Sequence, residues 1–157
     1  MGTIVEDVLA QADWVANALS QTGYKADFSP VSLWEIDRFF DDNSRNGQAV
    51  PGGLLSDQLG PRLFSLGAYV GEVIRRNRGG EWIGDDKDPQ AEINVQLHLP
   101  DGTTCWPVQR IMKRFKNGPL DGIAGYGAGA GLNVGSPPKK NKGHTFRIKS
   151  KPWWKFW

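Results

Sequence analysis

A histidine and a cysteine sit on either side of a turn that could bring them together as a nucleophile and its base. Asp101-Gly102 is a preferred dipeptide for a two-residue hairpin turn, which would pair Leu99 with Thr104 and His98 with Cys105. Directly opposed residues share a face, with Cβ atoms about 5 Å apart. An imidazole beside a thiol is the arrangement that generates a reactive thiolate. Glu72 is a second candidate, an acid between Gly71 and Val73 that could act as a base if burial raised its pKa. Arg75 and Arg76 come after it at intrahelical ion-pair spacing, and that pairing is the favoured reading. The third candidate is a set of cations, Arg75, Arg76, Arg78, Arg110, Lys113 and Arg114, joined by Trp153, Trp154, Phe156 and Trp157. Together they offer charge and stacking faces to a nucleic acid. No residue is identifiable that would orient a His98–Cys105 pair, and no oxyanion donor is evident. The expectation is a binding protein rather than an enzyme, with the dyad as an alternative.

The glycines of Leu66 to Trp82, LGAYVGEVIRRNRGGEW, raise the question of a phosphate loop. Such a loop runs from strand through glycine into helix. Here the order is reversed: Gly67 and Gly71 lie inside a helical pattern and Gly79-Gly80 ends it. Four residues apart, Gly67 and Gly71 share a helix face and let a neighbouring element approach closely.

The 157 residues suit one domain, 39% hydrophobic and 23% charged, with seven tryptophans and one cysteine. A single cysteine excludes an internal disulfide, and no His/Cys spacing reads as a zinc site, so no cofactor is expected. The acidic start and the lack of about 18 consecutive apolar residues point to a cytoplasmic protein with no transmembrane segment. Charge is unevenly spread. Residues 1–60 hold nine acids and three bases, whereas Asp121 is the one acid against seven bases from 121 onward.

The elements that must position these groups can be read from periodicity. Thr3 to Glu6 reads as a capping box before a helix ending near Gly23, and Ser29-Pro30 opens a second helix with Leu33, Ile36, Phe39 and Phe40 inward. Residues 41–55 read as loop. A third helix carries Leu59, Leu63, Leu66, Val70, Val73 and Ile74, and Glu81 to Gly84 starts a strand. Alternation from Glu92 to Leu99 predicts a half-buried strand with Ile93, Val95, Leu97 and Leu99 inward, the first arm of a hairpin over 92–106. Pro107 begins a further helix, with Val108, Ile111, Met112 and Phe115 inward and Gln109, Arg110, Lys113, Arg114 and Lys116 outward. The fold class is therefore α+β: N-terminal helices on a small antiparallel sheet, then C-terminal helices. One domain spans 1–135. Residues 136–157 form a basic, aromatic-ended tail with too little apolar surface to fold alone.

Leu66 to Ile74 with Gly80-Glu81-Trp82 behind it resembles the G-x-x-x-G-E-v…G-x-W signature of an uncharacterised bacterial domain family. Trp106 to Phe115 (WPVQRIMKRF) is similar to that family's P-v…k-R helix. The resemblance covers about Leu59 to Tyr126 and implies no reaction. At the level of class, it extends to bacterial immunity proteins, which neutralise toxin enzymes by contact. On this reading the acids of the first two helices face a basic protein partner, and aromatic residues beside them anchor it. The candidate partner-binding residues are Trp14, Trp34, Asp37, Phe39, Asp41 and Asp42. Nucleic acid bound by the basic C-terminal half is the alternative partner.

Overall fold

The computed structural model describes residues 3–138; the segment 139–157, with its aromatic end, lies outside them. The architecture is α+β, built around one central helix. Helix α1 (Ile4–Gln21) starts where expected: the Thr3 hydroxyl accepts from the Glu6 amide at 3.1 Å. Its face of Ile4, Val8, Ala12, Val15, Ala16 and Leu19 is buried, and it packs against α3 (Leu59–Arg78). Between them, Ser29 caps a short 3-10 turn at Pro30–Ser32, which leads into α2 (Leu33–Asn43). Leu33, Ile36, Phe39 and Phe40 of α2 have no solvent exposure.

Helix α3 is buried on every side from Arg62 to Ile74. Helix α5 (Pro107–Asn117) lies on another face of it, and the two small residues anticipated for close approach explain how. A Cβ added at Gly67 would stand 2.6 Å from Val108 Cα, and one at Gly71 would stand 2.0 Å from the Trp82 ring. Glycine is required there for space, since hydrogen is the one side chain that fits. At Gly79 and Gly80 the requirement is conformational: φ values of 85° and 129° turn the chain out of α3 into β3 (Glu81–Ile83).

Two expectations need correction. Residues 41–55 are not all loop: α2 runs to Asn43, and β1 (Ser44–Arg45) pairs with β2 (Gln48–Ala49) through Asn46-Gly47. Both turn residues have positive φ, the geometry of a tight hairpin. The predicted strand from Glu92 is also only half present. Residues Ala91–Asn94 form a helical turn, α4, and β4 covers only Gln96–His98. Asp88 sets the turn locally, accepting from the Gln90 amide at 2.8 Å and the Asn94 amide side chain at 2.9 Å. Pro89 comes next in the chain, so a capped turn outcompetes the polar–apolar alternation. Ile93 is accordingly half-buried, while Val95, Leu97 and Leu99 are in the core. The three-stranded sheet is antiparallel in the order β3-β4-β5, with β5 at Thr104–Cys105. Helix α6 (Ile123–Gly129) then packs on α2, Gly127 lying against Leu33.

Candidate functional site

The register of β4 and β5 separates the two residues of the proposed dyad. Leu97 opposes Cys105 and His98 opposes Thr104, one residue away from the expected pairing. The cause is the loop, which contains Pro100, Asp101 and Gly102. The Leu99 amide donates to the Thr103 carbonyl and Gly102, at φ 90°, closes the turn. A one-residue slip moves every side chain of a strand to the other face. Cys105 therefore lies in the core beside Leu97, and His98 is exposed, its Nε2 2.8 Å from Gln96 Oε1. Burial pushes the Cys105 thiol above its ordinary pKa, although a bond with the Tyr126 hydroxyl pulls the other way. A buried thiol of this kind is the reverse of an activated nucleophile.

Glu72 is the expected ion-pair residue, and more. Its side chain is fully buried, receiving Arg75 Nε at 2.5 Å, Arg76 Nε at 3.1 Å and the Trp82 indole N–H at 2.8 Å. Burial on its own would raise the carboxyl pKa; the bonds from Arg75, Trp82 and Arg76 outweigh that and hold it below its ordinary value. Gly71, Glu72 and Trp82 thus form one packing unit. Gly71 makes room for the Trp82 ring and Glu72 satisfies its N–H.

The arginines expected to form an outward basic patch are each bonded to a carboxylate, at partly exposed positions except for Arg114, and Lys113 is exposed. Arg76 also bonds Asp13 and lies 3.7 Å above the Phe28 ring. Arg78 bonds Asp101 and the Ala130 carbonyl, and Arg110 bonds Asp121. The largest departure is Arg114, predicted outward but only 2% exposed at its side chain. Met112, predicted inward, is exposed instead. Arg114 Nε donates to Asp37 Oδ1 at 2.9 Å, and Nη2 donates to the Asp37 carbonyl and to Asp41 Oδ1. Asp37 simultaneously accepts the amides of Ile123 at 2.8 Å and Ala124 at 2.9 Å, capping α6. One carboxylate thus ties α2, α5 and α6 together. Asp37, a candidate partner-binding residue, has its carboxylate oxygens bonded within the fold, with 15% of its side chain exposed.

The remaining candidates divide in the same way. Phe39 is wholly buried and packs edge-on against Tyr24 and Phe40, so it is a core residue and presents no surface. Trp34 is half-buried, its N–H donating to the Val134 carbonyl at 3.0 Å. Trp14 is exposed on α1. Asp41 and Asp42 keep 57% and 51% of their side chains exposed, though Asp42 also accepts from the Tyr24 hydroxyl. Trp34, Asp37, Asp41 and Asp42 all border one broad, open concavity, whose lining also includes Arg110, Leu120 and Tyr126.

Sequence reasoning missed Leu120. It is 96% exposed in the 3-10 turn Gly118–Asp121, beside Pro119 at the edge of the concavity. The turn is braced: Asp121 accepts from Asn117 Nδ2 at 2.7 Å and from Arg110 at 3.2 Å, and Gly118 has φ 82°. The Gly-Pro-Leu-Asp-Gly composition signals a turn, yet nothing local says that its leucine stays outside. Among the described residues, no group of three or more His, Cys, Asp or Glu is placed to hold a metal ion, and no helix is long and apolar enough to cross a membrane. No family model, curated protein or solved structure matches the chain.

Proposed function

We propose that this chain is a non-catalytic binding protein of the immunity class, which neutralises a partner enzyme by covering it. The observation that carries the reading is Leu120, an almost fully exposed leucine on a braced turn, facing the same concavity as Asp41 and Asp42. The turn that carries it is already fixed by the Asp121 bonds, so little backbone freedom is lost when a partner covers the leucine. Protein interfaces concentrate their affinity in a few such anchors, and charges at the rim accelerate encounter and select the partner. The partner is a protein with an apolar socket and basic residues around it. The nucleic-acid alternative keeps Lys113, which is exposed, and residues 139–157, whereas Arg75, Arg76, Arg78, Arg110 and Arg114 already have carboxylate partners. The enzyme alternative has lost the pairing on which it rested.

The test is capture from the native organism with wild type, Leu120→Glu and Asp42→Lys, and then assay of the captured protein. Wild type is expected to retain an enzyme and to suppress its activity. Leu120→Glu should abolish both effects with an unchanged melting temperature, and Asp42→Lys should slow association most at low salt. Capture and suppression undiminished by Leu120→Glu would overturn the proposal.

A further inference from the structure

The concavity borders the place where the described chain ends: Pro137 and Pro138 are part of its lining. Before that exit, the Trp34 N–H holds the Val134 carbonyl against α2, so the chain is delivered to this edge. The segment beyond Pro138 is chemically unlike the rest of the molecule. Residues 139–157 contain seven Lys and Arg and no acid, and four of the last five residues are aromatic. Residues 1–138 contain all seventeen acids and the other twelve bases, leaving a body of −5 beside a segment of +7. Within the body, Arg38, Arg110 and Arg114 at the concavity are each bonded to a carboxylate. Asp41 and Asp42 remain more than half exposed there.

We propose that the segment 139–157 is an intramolecular occupant of this concavity. Its indole and phenyl groups cover the apolar surface offered by Leu120, Trp34 and Tyr126, and its lysines lie along Asp41 and Asp42. Reach is sufficient, since the fourteen residues from Lys139 to Pro152 span about 45 Å when extended. Tethering also gives the segment an effective concentration in the millimolar range, so modest affinity fills the site. Complementary net charge adds to this and makes occupancy sensitive to salt. An aromatic side chain against Leu120 removes from water an apolar group that otherwise lies almost fully in it. This inference needs no partner, and where one binds it makes the segment and the partner competitors for Leu120, Asp41 and Asp42.

The test uses the full chain with a nitroxide attached at Lys155→Cys; Cys105 is buried and is not labelled. Amide resonances of Leu120 and Gly125 and the Trp34 indole resonance are expected to broaden, whereas amides of α1 should not. Raising the salt, or replacing Lys149 and Lys151 by Glu, should reverse the broadening. A second measurement needs no label. Replacing Trp153, Trp154 and Trp157 by Ser should speed amide exchange in residues 123–130 by about 10-fold, the loss of about 1.4 kcal/mol of local protection. Sharp signals at Leu120 and Trp34 together with unchanged exchange would overturn the proposal. So would broadening confined to another face, or broadening at Leu120 and Trp34 that appears only after vesicles of phosphatidylcholine and phosphatidylserine are added.

Discussion

The Trp82 indole N–H donates to Glu72 Oε2 across 2.8 Å, and the ring fills the space left by the absent side chain of Gly71. Two residues ten positions apart thereby join the central helix to the edge strand of the sheet. Replacing Glu72 by Gln keeps the shape but removes the charge that Arg75 and Arg76 address. Hydrogen bonds to a charged group contribute about 1.5–3 kcal/mol each, so a loss of about 2 kcal/mol is expected in urea unfolding. Trp82→Phe should be non-additive with it in a double-mutant cycle.

The same pair sets a pH dependence. Glu72 has its pKa depressed in the folded protein from an ordinary value of 4.5. Its contribution is therefore fully present above about pH 4.5 and lost as the pH falls through the lower folded value. The stability difference between wild type and Glu72→Gln should be constant from pH 7 to about pH 5 and shrink below that. A difference that grows on acidification would show that the carboxylate is not the favoured form.

Glycine-to-alanine changes should separate space from helix propensity. At Gly71 the new methyl meets the Trp82 ring, and a cost of about 1–3 kcal/mol is expected from overpacking. At Gly125 no atom lies within 4 Å of an added Cβ, so alanine should stabilise by up to about 1 kcal/mol. Thermal melts of the two variants should move in opposite directions.

Asp37 should be among the most sensitive acids in the protein. Asp37→Ala strips the cap of α6 and leaves Arg114, almost fully buried, without a carboxylate it needs. Breaking such a buried pair costs about 3–5 kcal/mol. Arg114→Met should be milder, because it removes the buried charge along with the pair. Equal losses from Asp37→Ala and Asp42→Ala would contradict this placement.

The hairpin register is checked by packing and by thiol chemistry. Leu97→Ala should cost about 2–5 kcal/mol, and Ile93→Ala clearly less, since only Leu97 is in the core. Cys105 should resist thiol reagents at neutral pH in the native state and react on unfolding. His98→Ala should leave that resistance unchanged.

Much of the fold was determined by sequence alone because its cues are local. The Thr3 cap, the apolar stripes of α1, α2 and α3, the two-glycine exit and the Glu72–Arg75–Arg76 spacing all act within a few residues, and the structure contains each of them. The α+β class is set by their order. Tertiary structure decided whatever depended on distant chain segments. A three-residue loop instead of a two-residue one moved Cys105 into the core and left His98 in water, because strand faces alternate with every residue. Arg114 reads as part of a solvated helix face until α2 brings Asp37 and Asp41, more than seventy residues away in sequence, against it. Leu120 is ordinary turn composition until its neighbours are braced by Asn117 and Arg110 and nothing among the described residues folds over it. Burial and long-range charge pairing are properties of the packed whole, and periodicity along one segment cannot encode which distant residue arrives opposite.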